Sequence, residues 1–328
     1  MDFILITLKN IVNVQILSFL GGIFLGFYKP GLAIPKKLSG LIILFILFCI
    51  GLKGGGPLAQ QLSSSATVFF SLVATLSLWG LISPFLSFYF LKTYTKLDSA
   101  TAATVAASFG SVSVMTFVTA ISFLDRERVG YNNFVIPILA IMEVPAILSG
   151  VFIAHHFGKC KSESKMGVLG ILRKCFFNTA ILSIALGLLC GYAFHVTGVD
   201  SISSSILVAF KPILAIFLIE MGRKVALQRE HFRVFSKSLH MFALYTPIVG
   251  GLCGLYVSYL FNLDPGTGTL LSVLTASASY IAVPAAMQVV LPEAKQGVYL
   301  PLSMGVAFPF NVVIGIPLYY FLACRILA

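Results

Sequence analysis

Charge is scarce in this sequence. Only 10% of its 328 residues are Asp, Glu, Lys or Arg, against roughly 25% in a soluble globular domain. With 58% of the residues hydrophobic and a mean hydropathy of +0.99, that shortage excludes a soluble enzyme, a disordered chain and a nucleic-acid module. The six cysteines (Cys49, Cys160, Cys175, Cys190, Cys253, Cys324) include no C-x-x-C pair. They supply neither a disulfide framework nor a zinc site and read as small packing residues. Met1-Asp2-Phe3 lacks a basic stretch, so no cleavable leader is expected. Runs such as Leu41–Phe48 do not alternate with polar residues, which argues against β-barrel strands. Gly51-Leu52-Lys53-Gly54-Gly55-Gly56-Pro57 has neither the length nor the Lys-Ser/Thr of a phosphate loop, and reads as a glycine-rich turn. His155 and His156 mark a helix end without a second ligand cluster, and no nucleophile sits beside a base. No enzyme and no organic cofactor are expected.

What the sequence has is apolar length. A helix needs about 20 apolar residues to cross a bilayer. Breaks of charge and turn residues leave ten segments, at about 14–28, 38–52, 66–91, 99–122, 133–155, 174–197, 205–222, 239–262, 268–291 and 297–323. The predicted fold is an all-α polytopic membrane protein with ten transmembrane helices. The net charge of +11 reports loop orientation rather than an acidic partner. Assigned to their nearest loops, sixteen Lys and Arg fall on one side and six on the other. The positive-inside rule puts the richer side in the cytoplasm and both termini outside it, in a multi-pass protein of the inner (plasma) membrane.

The two halves of the chain resemble each other. Residues 16–27 align with 181–192, Phe109–Val112 with Tyr280–Val283, and Ile141–Pro145 with Pro309–Val313, at offsets of 165, 171 and 168 residues. Five segments per copy means that the second copy is inverted in the bilayer. The expected division is a first five-helix repeat over 1–157, a cytoplasmic linker over 158–173 and a second, inverted repeat over 174–328. Inverted repeats are characteristic of alternating-access secondary transporters; duplication within a structural membrane protein is the other reading. The basic stretch Gly158–Lys165 reads as a solvated cytoplasmic loop, with a calmodulin-type or lipid-binding role as its alternative.

Two segments carry small hydroxyl residues where a lipid-facing helix would carry Leu or Phe: Ala106–Ser113 in the fourth and Thr275–Pro284 in the ninth. Gly110 tolerates unwound backbone, and Pro284 suits the first turn of a helix. Both segments read as discontinuous helices. In an inverted pair their second halves aim their N-termini at each other, each with unpaired N–H groups and about half a positive charge, and so frame an anion site. Close packing of small faces is the alternative.

Glu143 falls near the middle of the fifth segment, between Pro137 and Pro145, and its repeat counterpart is Asn311. An acid at that depth costs about 2.5–3.5 kcal/mol on insertion scales and normally faces a cavity or a partner. Carboxylate, amide and hydroxyl oxygens, Ser108 and Ser277 among them, suit Na⁺; a proton carried by Glu143 is the competing role. Glu220 has Arg223 one turn later, a pairing that reads as structural.

Gly51–Gly55, Phe109–Ser113, Glu220–Gly222, Tyr280–Met287, Leu291–Ala294, Tyr299–Gly305 and Phe308–Pro317 together resemble the sodium-dependent bicarbonate transporter family of the cyanobacterial SbtA type, over essentially the whole chain. The resemblance implies two inverted five-helix halves, a homotrimer, bicarbonate uptake coupled to Na⁺ and a cytoplasmic PII-like regulator, which the basic stretch from Arg223 to Lys237, with Arg229 and Arg233, would receive. It places the anion at Gly110, Ser111, Val112 and Ser113 with Ser279, Tyr280, Ile281 and Ala282, and the cation at Glu143 and Asn311. Two positions depart from the family pattern: Val114-Met115 stand where small residues follow the serine, and Glu143 stands in place of Asp. The expected function is Na⁺-coupled symport of a small monovalent oxyanion, bicarbonate first. The alternatives are a Na⁺- or H⁺-coupled carrier of a small organic acid and a non-transporting membrane scaffold for a PII-like protein.

Overall fold

In lipid a backbone without water closes its own hydrogen bonds, and long apolar runs do so as helices. The computed structural model describes residues 7, 14–29, 31–32, 34–157, 179–228 and 235–327, and every regular element among them is helical. In chain order they are α1 (Val14–Tyr28), α2 (Lys36–Tyr94), α3 (Ser99–Gly110), α4 (Val114–Glu127), α5 (Val135–Phe157) and α6 (Thr179–Val196). Next come α7 (Asp200–Val208), α8 (Phe210–Leu227), α9 (Lys237–Leu260), α10 (Pro265–Ala276), α11 (Ala282–Val290) and α12 (Gln296–Ile326). The expected linker over 158–173, Arg229 and Arg233 lie outside the described residues.

Seven described segments are long and apolar enough to cross a membrane, at 37–56, 67–94, 99–127, 135–154, 201–227, 237–260 and 296–326. The sequence reading expects ten. Val14–Tyr28 and Leu182–Val196 are apolar but shorter, and the ninth expected span is divided between α10 and α11, of 12 and 9 residues.

The glycine-rich stretch Gly51–Pro57, expected as a turn between the second and third spans, instead lies inside α2, whose backbone is helical over 59 residues. The reason is packing. A Cβ on Gly51 or Gly55 would strike the backbone of α6 at Ile184 or Leu188, and one on Gly187 or Gly191 would strike α2 at Phe48 or Leu52. Glycine costs roughly 1 kcal/mol in a helix interior, but here it lets two backbones touch, the small-residue packing that holds helices together in lipid.

The same arrangement recurs between α1 and α8. A Cβ on Gly22 would strike Ile219, one on Gly26 would meet Arg223 and Ala226, and one on Gly222 would strike Phe19. The two interfaces correspond residue for residue. Gly22 and Gly26 answer to Gly187 and Gly191 at an offset of 165, and Phe48, Gly51 and Leu52 to Ile219, Gly222 and Arg223 at 171. The first helix of each half thus lies on a helix of the other, α1 on α8 and α6 on α2.

α12 contains two π-helical stretches, Pro301–Ala307 and Asn311–Gly315. Pro309 and Pro317 have no N–H to donate, and the wider turns absorb that loss.

Candidate functional site

Two helices stop in the middle of apolar sequence. α3 ends at Gly110 and α4 begins at Val114, with extended backbone at Ser111 and Ser113. α10 ends at Ala276, Ser277 is extended, and α11 begins at Ala282. Serine accounts for the geometry locally, because its hydroxyl replaces backbone partners lost where a helix is interrupted. Ser113 Oγ accepts from Thr116 N at 3.3 Å, and Ser279 Oγ accepts from Val283 N at 3.3 Å. Pro284 sits in the first turn of α11.

The interruptions cross and are bonded to each other. Ser113 N donates to Ser277 Oγ at 2.8 Å, and Ser279 N donates to the Ser108 carbonyl at 2.8 Å. Ser277 Oγ in turn donates to the Leu274 carbonyl at 3.1 Å. The bounds of the two interrupted helices, Ser99–Gly110 and Pro265–Ala276, and their caps Asp98 and Asp264 correspond at an offset of 166. The expected pairing of Phe109–Val112 with Tyr280–Val283 at 171 is therefore out of register, because it matched residue types and not helix ends.

The crossing is buried and polar. Ser108, Ser111, Ser113, Ser277 and Ser279 are all buried, as are Val112 and Tyr280. Ser108 Oγ, Ser111 Oγ and Tyr280 Oη have no hydrogen-bond partner among the described residues, although the phenol lies beside Ser113. Neither do Ser83 Oγ and Thr116 Oγ1, which the sequence reading did not single out. Ser83 backs directly onto Gly110, where an added Cβ would lie 3.0 Å from its Oγ and 2.5 Å from Pro84 Cγ; glycine is needed there for close approach. Ser83-Pro84 within an apolar run was the available signal. Ile281 differs from the rest of the set, being 37% exposed, so its side chain points out of the crossing. The Ala282 side chain lies outside the described residues, though its backbone opens α11.

Glu143 is on α5 and 4% exposed. It makes no hydrogen bond or ion pair with the other candidate residues among those described. Its helix is pressed against both interrupted helices: a Cβ on Gly150 would meet Ala107 Cβ of α3 at 2.5 Å and Met287 of α11 at 3.2 Å. One on Gly80 would lie 3.3 Å from Pro145 Cβ and 3.8 Å from the Gly110 and Met142 carbonyls, so the turn bearing Glu143 stands beside the end of α3. Asn311 is engaged differently. Its Nδ2 donates to the Ala276 carbonyl at the end of α10 (3.0 Å) and its Oδ1 accepts from Tyr319 Oη (3.2 Å). Glu220 is held by Arg223 through two bonds of 2.8 and 2.7 Å.

The far ends of the two interrupted helices are clamped in matching fashion. Asp98 caps α3 and Asp264 caps α10, each accepting from the N–H three residues on at 2.8 Å. The Thr101 hydroxyl donates to Asp98 and accepts from Lys295 N, both at 3.0 Å. The Thr267 hydroxyl donates to Asp264 at 2.6 Å and accepts from Asn132 N at 2.8 Å. Each clamp thus ties the start of one interrupted helix to the segment beyond the end of the other. Burial works to raise the pKa of the Asp98 carboxyl. The N–H and hydroxyl of Thr101 and the Lys295 ammonium outweigh it and hold the carboxyl below the usual carboxylate value.

Long apolar helices around a buried, polar crossing of two interrupted ones are the architecture of a multi-pass membrane protein, in which non-helical backbone at depth is tolerated where it is buried in protein or lines a cavity. A family model described as the Na⁺-dependent bicarbonate transporter superfamily matches residues 15–324, and the chain belongs to that superfamily. It is a family of transporters and not a class of enzymes. A comparison with curated proteins finds no significant match.

Proposed function

We propose that the protein is a symporter that carries bicarbonate together with Na⁺, through a site at the crossing of the two interrupted helices. The observation that carries this reading is the pair of buried hydroxyls at the crossing, Ser108 and Ser111, which find no partner among the described residues. A buried hydroxyl left unmatched costs about 1–3 kcal/mol, and an oxyanion or a cation held there would recover that cost. Bicarbonate is assigned to Gly110–Ser113 and Ser279–Ala282, where serine and tyrosine hydroxyls donate and the starts of α4 and α11 contribute about half a positive charge each. Na⁺ is assigned to oxygens of Glu143, Ser108, Ser277 and Asn311. The Asn311 carbonyl oxygen already accepts from Tyr319, so it brings its second lone pair.

The charges balance in this assignment. An ionised Glu143 and bicarbonate together bring two negative charges, which one Na⁺ and two helix starts offset. Cargo of one Na⁺ and one bicarbonate is itself neutral, so no uncompensated anion enters the low-dielectric interior. Two inverted five-helix repeats over 1–157 and 174–328 joined by 158–173, with both termini outside the cytoplasm, belong to this reading; the corresponding contacts of α1 with α8 and of α2 with α6 support the repeat relation, and the distribution of Lys and Arg supports the orientation. A homotrimer and a PII-like cytoplasmic regulator belong to this reading through the family resemblance.

The test is uptake of labelled bicarbonate into proteoliposomes with Na⁺ and pH gradients imposed separately. Uptake is expected to follow the Na⁺ gradient. Uptake that follows only the pH gradient, or a carboxylate carried in place of bicarbonate, would overturn the proposal.

A further inference from the structure

The repeat relation equates Lys53 with Lys224, since their neighbours Leu52 and Arg223 make equivalent contacts with Gly191 and Gly26. The two lysines nevertheless behave differently. Lys53 reaches out of the glycine-packed helices to the end of α4. Its Nζ donates to Asp125 at 3.0 and 3.3 Å and to the Tyr131 hydroxyl, which itself donates to Asp125 at 3.2 Å. Lys224 stays on its own helix, 3.7 Å from Glu220 Oε1, a carboxylate already held at shorter range by Arg223. Among the described residues it bonds nothing at the end of α11. In the turn after α11 stands Glu293, exposed and the only acidic residue after Asp264; it forms no ion pair among the described residues.

In a carrier built from inverted repeats, the two access states are related by exchanging the conformations of the repeats. We propose that Lys53–Asp125 and Lys224–Glu293 are alternate gates. The first is closed in this structure; in the opposite access state Lys53 releases Asp125, and Lys224 leaves Glu220 for Glu293. These are positioning residues that bias which end of the carrier is open, and they touch neither cargo. The inference rests on the alternating-access reading above.

Cys49 reports on the first gate. It is fully buried and lines a cavity of about 140 Å³ together with Lys53, Asp125 and Lys211. The experiment measures the rate of maleimide labelling of purified full-length protein in which the other five cysteines are serine. Lys53→Ala and Asp125→Asn are expected to raise the rate about two- to fivefold, the scale of a partly exposed ion pair. Lys53→Arg should stay near the parent. Lys224→Ala and Glu293→Gln, at the far end, should lower it by a similar factor, and the exchange of Lys224→Glu with Glu293→Lys should restore it. A merely structural role would not give opposite signs at opposite ends. Unchanged rates, or shifts in one direction for Lys53→Ala, Asp125→Asn, Lys224→Ala and Glu293→Gln alike, would overturn the gates. Bicarbonate uptake by the same preparations keeps the two questions apart. Opposite labelling shifts without Na⁺-dependent uptake would sink the substrate assignment alone, and Na⁺-dependent uptake with flat labelling would sink the gates alone.

Discussion

Ser277→Ala removes the bond on which the crossing depends together with one of the oxygens assigned to Na⁺. In the structure Ser277 Oγ accepts from Ser113 N at 2.8 Å, and Ser113 is buried. The substitution leaves that N–H without its acceptor, at a cost of about 1–3 kcal/mol. The second crossing bond, Ser279 N to the Ser108 carbonyl, is between backbones and survives, so the protein should still fold. If Na⁺ binds only when the two interruptions are crossed, the lost energy appears in its affinity. The Na⁺ concentration for half-maximal uptake should rise at least about fivefold, since each 1.4 kcal/mol is tenfold and a ligand oxygen is lost as well. Ser277→Thr keeps the hydroxyl and should stay close to the parent. The assay is bicarbonate uptake into proteoliposomes across a Na⁺ titration, with thermal unfolding in detergent alongside. A Ser277→Ala protein with an unchanged Na⁺ titration and unchanged melting would refute the reasoning.

Three other outcomes are expected. Glu143→Gln should abolish Na⁺-driven uptake while Glu143→Asp keeps part of it, as measured with an imposed Na⁺ gradient, because an acid at membrane depth is retained for what it binds. Gly22→Ala should destabilise by about 1–3 kcal/mol through overpacking, since its Cβ would strike Ile219, whereas neighbouring Gly21→Ala meets nothing within 4 Å; thermal unfolding of the pair checks this. The lowered Asp98 carboxyl contributes stability that is fully present above the ordinary carboxylate pKa of about 3.9 and is lost as pH falls through its depressed folded value. In detergent, Asp98→Asn should accordingly melt below the parent at neutral pH, and the gap between them should close as pH falls through that acidic window.

The helix breaks were legible because small hydroxyl residues in an otherwise apolar segment have a local reason to be there: Ser113 and Ser279 supply acceptors to the first turns of α4 and α11. Glu143 was legible because a charge at that depth stands out against its neighbours. The clamps at Thr101 and Thr267 were not, since the partners, Lys295 and Asn132, are far away in sequence and each donates only a backbone N–H that any residue but proline possesses. Gly51–Pro57 misled for a related reason. Glycine marks a turn when seen alone, and only the facing Gly187 and Gly191 turn it into a contact surface. The pairing of Phe109–Val112 with Tyr280–Val283 failed because similarity of residue type was weighed above the positions of helix ends.

The exchanged pairing of α1 with α8 and of α2 with α6 has a consequence for biogenesis. Neither half can complete its own glycine seams, so the leading helix leaves the ribosome long before its mate at Phe210–Leu227 is synthesised and must wait in the bilayer with a bare backbone groove. A polypeptide halted after the first half should be caught by quality control, whereas the two halves made as separate chains in one cell should find each other and assemble.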